Sequence, residues 1–364
     1  MYSFEPSDEQ SMLIDAAKRF ATNDLRPAAH DADEEKQLSP NLIEKGWELG
    51  ILQASIPEQY GGFGEHSAVT GVLAAEELAY GDLAGAMAIM APGSYVLPIL
   101  LGGTEEQKKT LLAPVIEADW KPYVAAFIEP RFDFYPGEMD TTAKLNGDSY
   151  ILNGQKVMVP FADMAKSFLV FANLDGKTQA FIIPSNVDGL KVGDREGLLG
   201  LQALPTFHLT LEGVKVSKDA KVGADGSFDP ELVIASSNVA IAALAIGVAR
   251  AAYEYARDYA KQREAFGGPI AQKQSIAFML AEMITEIEAH RLLVWEAAWK
   301  LDESKEDAAH AAWIALSGVS DVTMMVTDRA VQILGGYGYI REYPVELWMR
   351  NGRGIPTFTG LAFV

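Results

Sequence analysis

An α+β protein is predicted, with a helical first third, a β-rich middle and a closing helical bundle. Three observations carry this reading. Apolar residues recur at helical spacing up to about residue 119. Short β-rich runs punctuated by Gly, Asn and Asp then follow. Long helical runs resume at about Pro230. The expected domains are therefore residues 1–119, 120–229 and 230–364.

In the first domain, Ser7 and Gln10 form a capping-box pair, and Leu13, Ala16, Ala17 and Phe20 share one helical face. "NLIEKGWELGIL" and "AVTGVLAAEELAYGDLAGAMAIM" keep the helical period on either side of the turn-rich "PEQYGGFGEHS". "TEEQKKTLLAPVIEA" reads as a short helix with acids in its first turn. The acid pairs Glu76-Glu77 and Glu105-Glu106 read as solvated helix surface. In the middle, "DSYILNGQKVMV", "SFLVFANL", "TQAFIIPS" and "FHLTLEGVKV" read as strands of a small antiparallel barrel or sandwich, with turns at Asn146-Gly147 and Asn153-Gly154. In the last domain, "ELVIASSNVAIAALAIGVARAAYEYARDYAKQREAF" is apolar around most of its circumference, as a helix inside a bundle should be. "KQSIAFMLAEMITEIEAHRLLVWEAAWKL" and "DAAHAAWIALSGVSDVTMMVTDRAVQIL" supply its partners. Trp295, Trp299 and Trp313 are expected to pack within that bundle.

Composition narrows the function. Of 364 residues 49% are hydrophobic, enough for a large core. A formal charge of −20 argues against nucleic acid or an anionic membrane as partner. With no cysteine there is no disulfide, thiolate metal site or cysteine nucleophile. The five histidines are scattered without metal-like pairing, so no metal is expected. "MYSFEPSDEQ" lacks the layout of a signal peptide, and Val239 to Val248 is too short to span a bilayer. A cytoplasmic location is the expectation.

The order of domains and the strings "IPEQYGGFG", "EELA", "GTEEQK", "YAKQREAFGGPI" and "QILGGYGYIREYP" resemble the acyl-CoA dehydrogenase family nearly end to end. The resemblance implies that family's fold: an N-terminal helical domain, a middle antiparallel β-domain and a C-terminal four-helix-type bundle. It also implies FAD, an acyl-CoA substrate, electron-transfer flavoprotein as acceptor, and α,β-desaturation. In that reaction a glutamate takes the α proton while hydride passes to the flavin.

The sequence departs from the family where that chemistry is done. The usual glutamate of the C-terminal string is replaced by Thr359, followed by Gly360 and Leu361. The alternative glutamate position ahead of the Arg-x-x-Phe-Gly string holds Ser237, followed by Asn238. Glu231 lies almost two helical turns upstream. A hydroxyl without an adjacent base has no useful basicity near neutrality, so no catalytic residue is assigned. An unconventional base such as Asp133 or Glu138 is the competing reading. Around the expected flavin ring, Ile128 and Phe134 replace hydroxylated positions of the family's Thr-Glu-Pro-x-x-Gly-Ser-Asp loop. Met158-Val159-Pro160 replaces Trp-Ile-Thr/Ser.

Residues that reach a neighbouring subunit's FAD in the family are kept: Arg263, Phe266, Gly267, Gln274, Gln332, Gly335 and Gly336. Retention of this half and loss of the other resembles the non-catalytic chain of a heteromeric, α2β2 acyl-CoA dehydrogenase. Such a chain would share FAD with a catalytic subunit. The same analogy points to bulky acyl thioesters, steroid side chains among them. The end of the sequence at Val364, where family members usually continue into a further helix, agrees with that reading. A flavin-free scaffold built on the same fold is the remaining alternative.

Overall fold

The computed structural model describes residues 6–116 and 119–364. Residues 1–5, part of the N-terminal stretch read above, lie outside the described residues, as do Glu117 and Ala118 at the end of the "TEEQKK" run. Helix α1 (Asp8–Phe20) opens on the expected capping box: the Gln10 N–H donates to Ser7 Oγ at 3.2 Å, and the Ser7 N–H to Gln10 Oε1 at 3.0 Å. A π-helical turn leads into α2 (Arg26–Glu35). Then come α3 (Pro40–Trp47), α4 (Ile51–Ala54), α5 (Ala68–Gly81), α6 (Leu83–Met90), α7 (Gly93–Gly102) and α8 (Glu105–Leu111).

The long apolar run of the first domain breaks between α5 and α6, because the buried Asp82 carboxylate accepts the Gly85 N–H at 2.7 Å and caps the second helix. Burial pushes this carboxyl up to about 6. Its folded value lies above the unfolded one, so the folded state binds the proton more tightly. The associated stability is therefore fully present below about pH 4 and is lost as pH rises toward about 6. Asp82→Asn keeps the capping oxygen and removes the titration. In urea melts, the stability difference between wild type and variant should shift against wild type across that window. A constant difference would show that Asp82 does not titrate there.

The middle of the chain forms a curled sheet of β1 (Tyr123–Ala126), β2 (Thr142–Asn146), β3 (Ser149–Pro160), β4 (Ser167–Leu174), β5 (Lys177–Pro184), β6 (Leu190–Arg195) and β7 (Thr206–Ser217). The order is β1-β4-β2-β3-β7-β6, with β5 on β4. Pairing is antiparallel except that β1, and one residue of β2, run parallel to β4. The two Asn-Gly pairs differ. Asn146-Gly147 enters the tight β2–β3 hairpin, with Gly147 at φ +59°. Asn153-Gly154 is no turn. It sits at a register shift within β3, where a Cβ on Gly154 would lie 2.4 Å from Thr141 Oγ1.

Three long helices close the chain: α9 (Pro230–Gln262), α10 (Gln274–Asp302) and α11 (Ala308–Leu334). The short α12 (Val345–Arg353) follows. Every residue from Val239 to Val248 is buried. The length argument used for that stretch needs correction, because the whole helix contains an 18-residue window long and apolar enough to cross a membrane. Some 89% of that window is packed inside the protein, which accounts for its apolarity. Glu76 and Glu77 also correct the sequence reading. They are 2% and 5% exposed, because α5 lies against α9 and both carboxylates meet Arg250, Glu77 at 2.8 Å. Arg291 from α10 adds a second cation on Glu76 at 2.9 Å. Trp313, expected in the bundle, is 60% exposed.

Candidate functional site

The two positions where a base would stand are brought together. Helix α9 runs beneath the segment that follows α12, and three consecutive α9 residues bind it. Ser236 Oγ accepts the Val364 N–H at 3.2 Å. Ser237 Oγ accepts the Gly360 N–H at 2.7 Å. Thr359 Oγ1 donates to Asn238 Oδ1 at 3.0 Å. These are neutral contacts. A carboxamide oxygen cannot activate a hydroxyl by removing its proton, so this junction fastens two segments and holds no general base. Glu231 is exposed at the start of α9. The competing candidates Asp133 and Glu138 are exposed on the loop after β1.

The β-domain side of this junction is filled by aromatic rings. Gly360, at φ +99°, lies so close to Phe127 that a Cβ would meet its ring at 2.4 Å. Phe127 packs edge-on against Phe171 at 4.6 Å and against Phe134 at 6.0 Å. Phe134, standing near a family serine, thus turns inward and completes a hydrophobic cluster. Ile128 beside it is buried. In β3, the Met158 N–H is held by the Glu196 carboxylate at 3.0 and 3.2 Å, and Pro160 has no N–H to offer. Donors that could address a flavin ring are consumed, absent or replaced by bulk. The isoalloxazine half of FAD does not fit this chain's own residues.

A different surface fits the other half of the cofactor. Helix α9 ends at Arg263, and a tight loop returns through Phe266 (φ +53°) and Gly267 (φ +85°). The loop is closed by Ala265 N–H to Gly268 O at 3.0 Å and by Ile270 N–H to Arg263 O at 2.8 Å. Lys273 Nζ donates to Phe266 O at 2.9 Å. Phe266 is 95% exposed on a left-handed backbone that disfavours a side chain, so the loop spends about 1–2 kcal/mol to hold an aromatic ring in solvent. Across from it, α11 stops at Gly335 (φ +59°, ψ −129°), a conformation suited to glycine, and a 3-10 turn presents Gly336 and Tyr337.

Arg263, Gly336, Tyr337, Tyr259 and Ile270 line an open cavity of about 360 Å³. The Arg263 guanidinium lies over the Tyr337 ring, 5.6 Å from its centroid. Among the described residues it meets no carboxylate. A free guanidinium fork, aromatic rings and bare glycine backbone are the donor set that a diphosphate and a purine require. Of the seven residues predicted to bind the cofactor, Arg263 and Gly336 line this cavity, with Gly335 preceding it. Phe266 and Gly267 form the loop tip. Gln274 begins α10 and Gln332 lies on an exposed face of α11; both are outside the cavity lining.

Comparison with known proteins agrees with this architecture. Profiles described as the N-terminal, middle and C-terminal domains of acyl-CoA dehydrogenase match residues 7–119, 127–214 and 233–362. The mitochondrial short-chain specific acyl-CoA dehydrogenase of Bos taurus is 34% identical over 98% of this chain and 88% of its own. The chain belongs to the acyl-CoA dehydrogenase family. Butyryl-CoA dehydrogenase from Megasphaera elsdenii superposes with a TM-score of 0.88 at 34% identity, covering 100% of this chain and 96% of that one. A chain from the structure of the electron transferring flavoprotein of Acidaminococcus fermentans gives 0.89 at 35%, covering 99% and 96%. FAD is the cofactor of the family.

The sequence reading missed several structural residues of the site. Asn351, fully buried, accepts the Leu201 N–H at 2.8 Å and ties α12 to the β-domain. Arg350 reaches Asp33 at 2.7 Å and Glu346 at 2.8 Å. These contacts fix α12 and thereby the segment carrying Thr359. No local pattern announces them.

Proposed function

We propose that this chain is the non-catalytic, cytoplasmic subunit of a heteromeric acyl-CoA dehydrogenase, lending its Arg263 cradle to FAD carried by a catalytic partner in an α2β2 assembly. When bound, FAD supplies the hydride acceptor for α,β-desaturation. One observation carries the reading: Thr359 and Ser237, at the two family base positions, are neutral groups engaged in structural hydrogen bonds. The exposed cradle supports it from the other side. Electron-transfer flavoprotein is the acceptor we assign, supported by likeness to a chain from such a structure. For the acyl group, the relatives named above are short-chain and butyryl-CoA enzymes, whereas a bulky steroid side-chain thioester rests on the heteromeric analogy alone. Assays should span both.

A tagged pull-down from the native host, with a flavin count, tests the assembly. A second chain of similar size and one FAD per unlike pair is expected. A single polypeptide carrying one FAD per chain would overturn the reading. It would favour an active homomeric enzyme with an unconventional base, a reading supported by full-length likeness to the named dehydrogenases. Within the complex, Thr359→Val should leave turnover within about twofold of wild type, since a structural hydroxyl contact has a net worth of only about 1 kcal/mol. A loss of several orders of magnitude would place Thr359 in the chemistry.

A further inference from the structure

Two exposed surfaces of this chain complement one another. The first is the loop of residues 131–138, where the family's cofactor-binding string is rewritten as "RFDFYPGE". Its Phe132 is fully exposed and Tyr135 is 62% exposed. The rings stand on a braced backbone. The Glu129 carboxylate accepts the N–H groups of Asp140 and Thr141 at 2.6 and 2.8 Å. Arg131 donates to Glu138 O at 2.9 Å and to Asp140 at 3.0 Å, and Thr178 holds Pro136 O at 3.1 Å. Such bracing lowers the ordering cost of any contact the loop makes. Asp133, Glu138 and Asp140 outweigh Arg131, so the loop is acidic. The second surface is the cradle, with exposed Arg263, Phe266 and Tyr337 and the cation of Lys273 nearby. It is cationic and aromatic, and its 360 Å³ cavity can admit an aromatic side chain.

We infer that, in the purified chain without a cofactor-bearing partner, the 131–138 loop of one copy docks into the Arg263–Tyr337 cradle of a second copy. Each chain carries both halves, so the contact is repeated in the reverse direction and closes as a twofold dimer. Phe132 and Tyr135 supply apolar area and rings for the guanidinium, and the acidic flank meets Arg263 and Lys273. The inference rests on the proposed function only in naming what later displaces the loop, the FAD of the catalytic partner.

The test places a photo-crosslinking benzoylphenylalanine at position 132 of the full chain and measures mass in solution by light scattering. A dimer is expected, with crosslinks from position 132 to residues 259–270 or 333–340 of the second copy. Phe132→Ser combined with Tyr135→Ser should raise the dimer dissociation constant at least tenfold, as should Arg263→Glu. All three side chains are exposed, so the melting temperature should stay put. A monomer throughout, crosslinks confined to other surfaces, or a dimer indifferent to the loop variant would each overturn the inference. None of these results alters the flavin count of the native assembly, so the two proposals can fail separately.

Discussion

Replacing Lys156 with methionine is expected to lower folding stability by about 3–5 kcal/mol, the usual penalty for leaving one member of a buried ion pair without its partner. Lys156 and Glu129 are almost fully buried and meet at 2.9 Å. Burial pushes the lysine down to about 8, with Glu129 opposing the shift, so at neutral pH it remains mostly charged. Burial alone would raise Glu129, but Lys156 and the N–H groups of Asp140 and Thr141 outweigh it and hold the carboxyl below its ordinary value. The ammonium also donates to Phe127 O at 3.0 Å, so one cation joins β3, the exit of β1 and the root of the rewritten loop. Methionine fills similar space and strands the carboxylate. Adding Glu129→Gln should recover part of the loss, because the amide oxygen can still accept one backbone N–H. Urea denaturation of the single and double variants measures both effects. A single-variant loss below 1 kcal/mol would mean that water or another group compensates Glu129.

The same pair shows which parts of the molecule are legible in its sequence. Helix caps are local, so Ser7 with Gln10 could be read directly, as could the sequence of helices, strands and bundle. Burial of charge is a long-range property. Glu76 and Glu77 read as surface until Arg250 and Arg291, arriving from two other helices, neutralise them. Their position inside the uninterrupted apolar run "VLAAEELAYG" was the available signal. Asn153-Gly154 shows the same limit in the sheet, since Thr141 on the neighbouring chain segment determines that it bulges. At the candidate site, Thr359 and Asn238 lie 121 positions apart yet hydrogen-bond. Periodicity cannot pair them; likeness to a known family could. The aromatic filling around Phe127 was visible only as substitutions, because sequence position does not show that Phe134 turns inward while Phe132 turns out.

In the assembled complex, Arg263→Ala should cost about 1.5–3 kcal/mol for each charge-assisted hydrogen bond to the FAD diphosphate. If both arms of the fork engage, FAD retention falls by at least about a hundredfold. The expectation follows from what Arg263 lacks in this chain: among the described residues its guanidinium has a ring beneath it and no carboxylate. It is a cation kept available. Because it supports no core contact, the fold should survive its removal, which separates a binding defect from unfolding. Arg263→Lys should recover only part of the retention, since an ammonium restores charge without the planar fork. The readout is flavin remaining per complex after dialysis, followed by its visible absorbance, with the melting temperature of the isolated chain as control. Full flavin retention in the alanine variant would leave the cradle without a cofactor role. It would make the chain a scaffold whose contribution is association alone. Loss of flavin with an unchanged fold would instead mean that a chain without a base still governs whether its partner can hold the oxidant.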